Sequence, residues 1–435
     1  MTTLQIKVNG RPSQALSLKE LHDRIKCGGV GQDDLVWSEE SDDWIAAGEI
    51  DELKNFFYEN NGASDFQEAR IYAVASGKGG VGKSVLAASL GVGLAAMGKE
   101  VIMIDADLGG ANLHTCMGMP EPRYTLFDFY SLEKETLADI VLPTPVENLR
   151  LISGACGTLG LASPTYIQKQ RFVQDIKKLH ADTIILDLGA GSNVDIIDFF
   201  LLADEKILVV TPEPTSIYEA FGFIKVCLMH ALNLALKDHP AVLALFAKQE
   251  INRPGKAQLP MSDLLQETEK IDAAAAAIFR ATLNAFKPKM ILNMIRQQAQ
   301  IKEGMALQIA IMELLAVNVD YLGYISYDPK VSEAVMNTKP LLLYAPDTQA
   351  AQDLSALIRV KLLGKKGFKE FFEKKKWQKQ MRGAAREYPK LDILKDAPIC
   401  SINCFYWDNC EYQQGGHPCR VRHLEPTLSD QTRFH

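Results

Sequence analysis

Residues 76–84 constrain the fold of this chain more than any other stretch. They read Ser-Gly-Lys-Gly-Gly-Val-Gly-Lys-Ser and fit the phosphate-binding pattern G-x-x-x-x-G-K-[ST], which begins here at Gly77 and ends at Ser84. An apolar run at 71–75 precedes the pattern, and an alanine- and leucine-rich run at 85–97 follows it. This order predicts a buried strand, a glycine-rich phosphate loop and a helix. The alternative is a glycine turn that binds no ligand.

Each part of this loop has a chemical role in holding a nucleoside triphosphate. The glycines let backbone N–H groups approach the phosphates, and the following helix adds the positive end of its dipole. Lys83 is expected to reach the β- and γ-phosphates, and the Ser84 hydroxyl to hold Mg²⁺. The predicted contacts to ATP are Gly77, Lys78, Gly79, Gly80, Val81, Gly82, Lys83, Ser84 and Val85.

Apolar runs alternate with helical stretches from about residue 70 to residue 362. Further buried strands are predicted at 100–105, 149–152, 183–187, 207–211, 290–293 and 321–325. Continuous apolar strands of this kind are typical of a mostly parallel sheet with helices on both faces. The sequence therefore predicts an α/β domain at 70–362, with a mostly helical insert at 232–286.

Three acidic residues lie at the ends of predicted strands, where doubly wound sheets place their ligands. Asp105 and Asp107 follow one strand, and Asp187 ends another, at the position of a Walker B acid. Each acid alone is explained equally well as a helix cap or a surface charge. Because all three follow a phosphate loop in order, a nucleotide site is favoured, with Asp187 supporting the Mg²⁺ shell.

A lysine at position 78 makes the loop read K-G-G-x-G-K-S, which resembles the deviant-Walker P-loop ATPases of the MinD/ParA family. The resemblance covers roughly residues 70–357. It implies an ATP-dependent sandwich dimer in which Lys78 reaches the partner's nucleotide. Together with Lys83, that lysine would neutralise charge during phosphoryl transfer to water.

Further segments carry the same resemblance. Residues 104–112 are similar to the switch segment Asp-x-Asp-Leu-Gly-x-x-Asn of the MinD branch, which implies that Asp107 positions the attacking water and belongs to the Mg²⁺ site. Asn293 matches the asparagine that reads the adenine edge in the family, and a capping asparagine is the alternative. Residues 211–217 and 324–329 resemble the FlhG branch, which regulates flagellar number.

Residues 1–60 are predicted to form a small acidic α+β domain, joined to the ATPase domain by a linker at 61–69. Leu-Val-Trp at 35–37 and Trp-Ile-Ala-Ala-Gly at 44–48 resemble a bacterial GYF-like domain, which implies that a protein partner binds there. The Gly-Tyr-Phe tripeptide of the founding domains is absent. The alternative is that Trp37 and Trp44 only form the core of this small domain.

A strongly basic segment follows the predicted ATPase domain. Lysines and arginines crowd residues 361–382, and Phe368, Phe371 and Phe372 share one helical face within the amphipathic segment 363–390. A helix of this kind can bind an anionic membrane surface, and it can equally pack on the ATPase domain. Binding to nucleic acid or to an acidic partner is the less favoured alternative.

Eight cysteines fall into two groups. Four are scattered along the chain, as buried or free thiols usually are. The other four lie in a cysteine-rich tail at 391–435, and four thiolates so close in sequence can enclose Zn²⁺ or, as the alternative, a 4Fe-4S cluster. The predicted ligands are Cys400, Cys404, Cys410 and Cys419.

Composition and the pattern of apolar residues limit the possible partners and the expected location of the protein. A net charge of −7 argues against a protein that coats nucleic acid. No apolar run reaches the ~18 residues of a membrane-spanning helix, and the N-terminus lacks a signal-peptide pattern. We expect a cytoplasmic protein, either free or peripherally attached to the inner face of the cell membrane.

The expected activity is slow hydrolysis of ATP, with Mg²⁺, under the control of a partner. The expected role is spatial, in placing or counting a cell structure such as a flagellum or a polar complex. Two alternatives remain open from the sequence. One is a ParA-like partition ATPase that binds DNA, and the other is an Mrp-like metal-cluster carrier.

Overall fold

The computed structural model describes residues 69–154, 164–251, 260–363, 381 and 383, and part of the segment 3–50. Strands of the N-terminal segment are β1 (Thr3–Leu4), β2 (Ile6–Val8), β3 (Arg11–Pro12), β4 (Leu16–Ser17), β5 (Leu35–Ser38) and β6 (Asp43–Ala46). Strands of the larger domain are β7 (Arg70–Ser76), β8 (Val101–Asp105), β9 (Leu142–Pro143), β10 (Leu149–Ile152), β11 (Thr183–Ala190), β12 (Glu205–Val210), β13 (Lys289–Ile295) and β14 (Asp320–Ser326).

Helices connect the strands of the larger domain. They are α1 (Lys83–Ala96), α2 (Leu113–Cys116), α3 (Leu126–Tyr130), α4 (Tyr166–Ile176), α5 (Val194–Leu202), α6 (Pro214–Ala235), α7 (Pro240–Ile251), α8 (Met261–Ile271), α9 (Ala273–Ala285), α10 (Ile301–Leu315), α11 (Pro329–Met336), α12 (Leu341–Tyr344) and α13 (Gln349–Ala356). Turns of 3₁₀ helix lie at Leu137–Ile140 and Gln298–Gln300, and a π-helical turn lies at Leu357–Leu362. The insert expected at 232–286 contains the end of α6 followed by α7, α8 and α9.

The large domain is built on one eight-stranded sheet with the order β14-β13-β12-β7-β11-β8-β10-β9. Neighbouring strands are parallel except at one edge, where β9 runs antiparallel to β10. The predicted α/β fold with a mostly parallel sheet is therefore confirmed. The predicted cysteine-rich tail lies outside the described residues.

The central strand β7 is buried on both faces of the sheet. Ile71, Ala73 and Ala75 belong to one apolar core, which also contains residues of α5 and α6. Tyr72 and Val74 belong to the opposite core, which contains residues of α1 and α13. Since side chains alternate along a strand, packing on both faces fixes where β7 ends and the phosphate loop begins.

Helix α6 is the one helix in the described part of the chain that is long and apolar enough to span a membrane. Phe223, Ile224 and Leu228 on this helix are buried in the core of the domain. Other apolar side chains of the same helix, Tyr218 and Leu234, are exposed.

Gly77 begins the phosphate loop where the loop touches the backbone of α6. A Cβ atom at Gly77 would lie 2.4 Å from both the carbonyl carbon and the carbonyl oxygen of Glu219. Two backbones cannot approach this closely when a side chain stands between them, so only glycine fits here. The loop is thereby packed against α6 as well as tethered to β7.

The N-terminal segment has its own sheet, in which β3, β2, β5 and β6 are antiparallel neighbours. Its small core includes Ile6, Leu21 and Val36. Trp37 and Trp44 are only partly buried and stack edge to face, with 5.5 Å between ring centroids. The two tryptophans are not among the fully buried residues of this core, and the binding of a protein partner stays a prediction.

The N-terminal segment contacts the larger domain through charged pairs. Arg24 lies 3.2 Å from Asp139, and both side chains are mostly buried. Glu20 lies 3.6 Å from Arg123 in a more exposed pair. Asp139 also accepts hydrogen bonds from the Thr136 backbone and hydroxyl, so the contact is attached to the start of a helical turn.

Beyond residue 363, the basic segment is described at only two positions, Met381 and Gly383. The Met381 side chain is almost fully buried in the apolar core that also contains residues of α1 and α13. At this position the segment packs on the larger domain. Phe368, Phe371 and Phe372 lie outside the described residues.

Replacing Gly77 by alanine tests the packing of the phosphate loop on α6. The added methyl group would overlap the Glu219 carbonyl, and overpacking of this kind typically costs about 1–3 kcal/mol. Gly222 is the matched control because it lies on the same helix, has no atom within 4 Å of an added Cβ, and has no positive φ. Gly222→Ala should instead add about 0.5–1 kcal/mol.

Urea unfolding of both variants measures the two free energies of unfolding. A Gly77→Ala variant as stable as the parent protein would show that the loop does not pack on α6 as described.

Candidate nucleotide-binding site

Strand register brings the phosphate loop and the acidic residues to one edge of the sheet. Asp187 on β11 pairs with Val74 on β7, and it also pairs with Asp105 on β8. Because these strands are parallel neighbours, the loops that follow them emerge side by side. The three predicted acids and the phosphate loop therefore form one site.

A cavity of about 600 Å³ lies at this edge of the sheet. One end is lined by the phosphate loop and the acidic segments, and the other is a mainly apolar wall from β14, α11, α12 and α13. The lining residues of the polar end include Gly79, Gly80, Gly82, Lys83, Ser84, Asp107 and Asn293. A nucleotide requires a binding site with one end that binds phosphates and another, apolar end that can hold the base.

The phosphate loop has the backbone conformation of an anion cradle. Gly80 and Gly82 have φ angles of 78° and 92°, in the region that favours glycine. Gly82 is also the residue before α1, so the N-terminus of a 14-residue helix faces the cavity. Lys83, the first residue of that helix, is buried and lines the cavity. This is the arrangement predicted for binding phosphates.

Asn293 holds the phosphate loop from the neighbouring part of the sheet. Its Nδ2 donates a hydrogen bond of 2.8 Å to the Val81 carbonyl, and its Oδ1 accepts one of 2.9 Å from the Met294 backbone. One N–H and one lone pair of the amide remain for a nucleobase edge. The adenine-reading role stays a prediction, and the structure adds a support role that the sequence did not indicate.

Asp187 is the most constrained carboxylate in the site. It is buried, and neither of its oxygens has a hydrogen-bond partner among the residues that the structure describes. Burial raises its pKa to about 7, and Asp107 adds to the rise. The neighbouring Ser84 hydroxyl, which lies outside hydrogen-bonding geometry, and the Lys83 ammonium oppose it.

The environment of Asp187 fits a magnesium ion. A buried carboxylate with unpaired oxygens is costly unless a cation or a proton satisfies it. Mg²⁺ prefers carboxylate, hydroxyl, phosphate and water oxygens, and Ser84 and Asp187 supply the first two. Asp107 also lines the cavity, where it can complete the outer part of the same site.

Asp107 lies in the loop between β8 and α2. Its Oδ1 accepts a hydrogen bond of 3.0 Å from the Gly110 backbone, so the carboxylate is held within its own loop. A Cβ atom at Gly189 would lie 3.4 Å from Asp107 Oδ1, so the end of β11 passes close to Asp107. The structure thus brings Asp107 and Asp187 together, as the sequence predicted.

Lys78 does not line the cavity. Its Nζ lies 3.1 Å from Glu213 Oε2 and 3.1 Å from Thr215 Oγ1 at the start of α6, and the side chain is 40% exposed. The two lysines of the loop are therefore separated, with Lys83 facing the cavity and Lys78 facing the outer surface.

The apolar wall of the cavity was not predicted as a binding element. It contains Tyr327, Val331 and Met336, and the Arg296 guanidinium stacks 3.6 Å from the centre of the Tyr327 ring. In the sequence, residues 324–329 carry only a resemblance to the FlhG branch. Their position at the carboxyl end of the last parallel strand is a signal that they line the site.

The four cysteines of the tail lie outside the described residues. Within the described part of the chain, no group of three or more histidine, cysteine or acidic side chains has an arrangement that could hold a metal ion. The predicted zinc or iron–sulfur site gains no support and stays a prediction. The scattered thiols at Cys116 and Cys227 are free and buried, as expected for cysteines of this kind.

The sheet, the phosphate loop and the cavity define a P-loop nucleotide-binding domain. A family model described as the CobQ/CobB/MinD/ParA nucleotide binding domain matches residues 72–341, which is more than half of the chain. The chain belongs to this family, as the resemblance implied. A model of GYF domain 2 matches residues 6–53, which confirms the resemblance of the N-terminal segment to a GYF-like domain.

Curated relatives include proteins named as an antiactivator and as a flagellum site-determining protein. Antiactivator FleN of Pseudomonas aeruginosa is 35% identical over 158 residues, which are 36% of this chain and 55% of FleN. Flagellum site-determining protein YlxH of Helicobacter pylori is 32% identical over 187 residues, which are 41% of this chain and 61% of YlxH. This chain thus spans little more than half the length of the curated relatives it matches.

Solved structures of MinD and ParA proteins are also similar. The septum site-determining protein MinD complexed with Mg-ADP from Pyrococcus horikoshii is 23% identical with a TM-score of 0.46, over 68% of this chain and 98% of that one. A ParA family ATPase from Chlorobium tepidum is 17% identical with a TM-score of 0.46, over 67% and 98%.

Replacing Asp187 by asparagine tests the unpaired buried carboxylate. The folded-state pKa is raised from 3.8 to about 7, so the ionised group destabilises the fold as pH rises from about 4 to about 7. Without nucleotide or Mg²⁺, Asp187→Asn should raise the free energy of unfolding at pH 8 by about 1–4 kcal/mol. The gain should disappear as the pH falls toward 4.

Urea unfolding at several pH values measures this effect, with Asp320→Asn as a control because Asp320 is an exposed carboxylate on β14. The Asp187→Asn variant should also lose the extra stabilisation that Mg²⁺ adds in the presence of ATP. A variant that is less stable than the parent protein at pH 8 would show that Asp187 is satisfied within the protein.

Proposed function

We propose that this chain is an ATP-hydrolysing switch that forms an ATP-dependent dimer and determines the position or number of a cell structure, such as a flagellum or a polar complex. The observation that carries the proposal is that the two lysines of the phosphate loop lie in different places. Lys83 is buried at the cavity, whereas Lys78 is partly exposed and pairs with Glu213 outside it.

A second ammonium group outside the cavity suits a nucleotide that belongs to another molecule. Among the described residues, the Lys78 side chain is held by an exposed ion pair with Glu213 and a hydrogen bond to Thr215. Exposed ion pairs contribute roughly 0–1 kcal/mol, so a phosphate group on a second copy can displace Glu213 at little cost. The family resemblance supplies the same role for this lysine.

Hydrolysis follows from groups that already surround the cavity. Lys83 and the N–H groups before α1 stabilise the negative charge of the phosphates. Asp107 lies where it can accept a hydrogen bond from the attacking water and align that water with the γ-phosphate. When bound, Mg²⁺ supplies further neutralisation of phosphate charge next to Ser84 and Asp187.

The spatial role rests on the relatives and on the additional segments. FleN and YlxH are named as an antiactivator and a flagellum site-determining protein, and their similarity favours a site-determining regulator over a partition ATPase or a cluster carrier. We propose that the N-terminal domain, whose two tryptophans are partly exposed, binds a protein partner. We also propose that the protein acts in the cytoplasm, free or at the inner face of the membrane.

Lys78→Ala should abolish the ATP-dependent dimer and leave nucleotide binding within about threefold of the parent protein. The reason is that Lys83 and the loop N–H groups, which face the cavity, are unchanged. Sedimentation velocity with and without ATP measures the dimer, and a fluorescent ATP analogue measures binding. Lys99→Ala is the matched control, since Lys99 is an exposed lysine paired with Asp182.

An intact ATP-dependent dimer in the Lys78→Ala variant would contradict the proposed role of Lys78. Loss of nucleotide binding in that variant would instead show that Lys78 contacts the nucleotide bound in the same copy of the protein.

Asp107→Ala should bind ATP and dimerise like the parent protein, but its rate of ATP hydrolysis should fall by about 100-fold or more. Alanine removes the group that aligns the water, and general acid–base or positioning groups typically contribute about 10²–10⁴-fold. Phosphate release under single-turnover conditions measures the step. Asp320→Ala is the control, because Asp320 is an exposed carboxylate at the start of β14 and does not line the cavity. Parental turnover in Asp107→Ala would exclude it from the reaction.

A further inference from the structure

We propose that Asp105 is a positioning residue that sets the orientation of Asp107 by fastening both ends of the loop between β8 and α2. Asp105 is the last residue of β8 and is fully buried. Its Oδ1 accepts a hydrogen bond of 3.2 Å from the Asp107 backbone, and its Oδ2 accepts one of 2.9 Å from the Leu113 backbone. The inference rests on the proposed function, in which Asp107 acts in ATP hydrolysis.

The two hydrogen bonds close the loop on the sheet. One donor lies at the start of the loop and the other at the first residue of α2, so a single carboxylate bridges a segment of several residues. Ala106 adds a backbone hydrogen bond of 2.9 Å to the Asp187 carbonyl, which ties the start of the loop to β11. The beginning of the loop is therefore fixed to the two strands that carry the buried acids.

The rest of the loop also has hydrogen bonds between its own residues. Asp107 bonds to Gly110 within the loop, and the Asn112 side chain donates to the Gly110 carbonyl. These bonds preserve the local shape of the loop but do not fix its position relative to the cavity. The bonds that Asp105 accepts do help to fix that position, because the Asp105 side chain cannot move within the packed core.

A buried carboxylate at this position is unfavourable for folding alone. Asp105 pairs in register with Asp187, so two carboxylates lie side by side in a region shielded from water. Like charges this close oppose each other, and an asparagine or a small apolar residue would avoid the cost. A carboxylate is instead the group that accepts two backbone N–H bonds with its two oxygens.

Asp105 does not line the cavity, so its effect on the reaction passes through neighbouring residues, and Asp107 is the one whose backbone it holds. Small errors in the position of a group that aligns the nucleophile reduce rates strongly, by about 100-fold for a displacement of about 1 Å. Binding of the nucleotide depends mainly on the phosphate loop, whereas both hydrogen bonds that Asp105 accepts come from the two ends of the loop between β8 and α2. Loosening this loop should therefore lower the rate of hydrolysis while leaving the affinity for ATP almost unchanged.

Asp105→Asn is the sharpest test because it preserves the size of the side chain. The amide oxygen can accept one of the two N–H bonds, but its NH₂ group would face the other backbone donor. We expect a loss of about 10- to 100-fold in kcat, a KM within about threefold of the parent value, and unchanged binding of a nonhydrolysable ATP analogue. Hydrogen–deuterium exchange should become faster at the amides of Asp107 and Leu113 and stay unchanged in α1.

Asp175→Asn is the matched control. Asp175 is also a buried acid that accepts a backbone N–H bond, 3.3 Å from Leu137, but it lies on α4 and does not line the cavity. It should keep the parental kcat. A second variant, Asp105→Ser, removes the carboxylate without placing a new NH₂ group beside the loop, and it should lose kcat in the same way.

Three outcomes would overturn the inference. One is parental kcat in both Asp105 variants, and another is unchanged exchange at Asp107 and Leu113. The third is an equal loss of ATP binding and stability, which would make Asp105 a purely structural residue. Failure of the proposed function is distinguishable from all of these, because the parent protein itself would then release no phosphate from ATP.

Discussion

The parallel pairing of β8, β11 and β7 is the constraint on which the rest of the structure depends. This register places Asp187 beside Val74 on one side and Asp105 on the other. Packing on both faces of β7 holds the phosphate loop at the same height as the acidic loops. A one-residue slip of β11 would turn Asp187 to the opposite face of the sheet, so the site exists only in this register.

The electrostatics of the site follow from the same register. Desolvation is the main cause of the raised pKa of Asp105, and the neighbouring Asp187 carboxylate adds to it. Without ligands, the protein thus has two neighbouring buried carboxylates, Asp105 and Asp187, and their surroundings favour binding of a proton or a cation. Bound nucleotide with Mg²⁺ would satisfy these groups, which links occupancy of the site to the stability of the loops around it. Such a link is what a nucleotide-dependent switch requires.

Local patterns in the sequence predicted the strands, the phosphate loop and the acids, because each is written in consecutive residues. The long apolar runs ended within a few residues of the observed strands, and the alternation of strands and helices fixed the fold class. The two-residue strand β9 could not be predicted, since its pairing with β10 depends on tertiary contacts. Three sets of contacts could not be predicted, because no local sequence pattern indicates them. They are the hydrogen bond from Asn293 to Val81, the ion pair of Lys78 with Glu213, and the two hydrogen bonds that Asp105 accepts from the ends of the loop after β8.

The central claim is that ATP is hydrolysed by a dimer in which each copy completes the site of the other. The most direct test is the rate of phosphate release per molecule of protein, measured across a wide range of protein concentration at saturating ATP and Mg²⁺. The account predicts a rate that rises with concentration and reaches a plateau when the dimer is fully formed. A rate per molecule that is the same at every concentration, in a protein that sediments as a monomer, would contradict it.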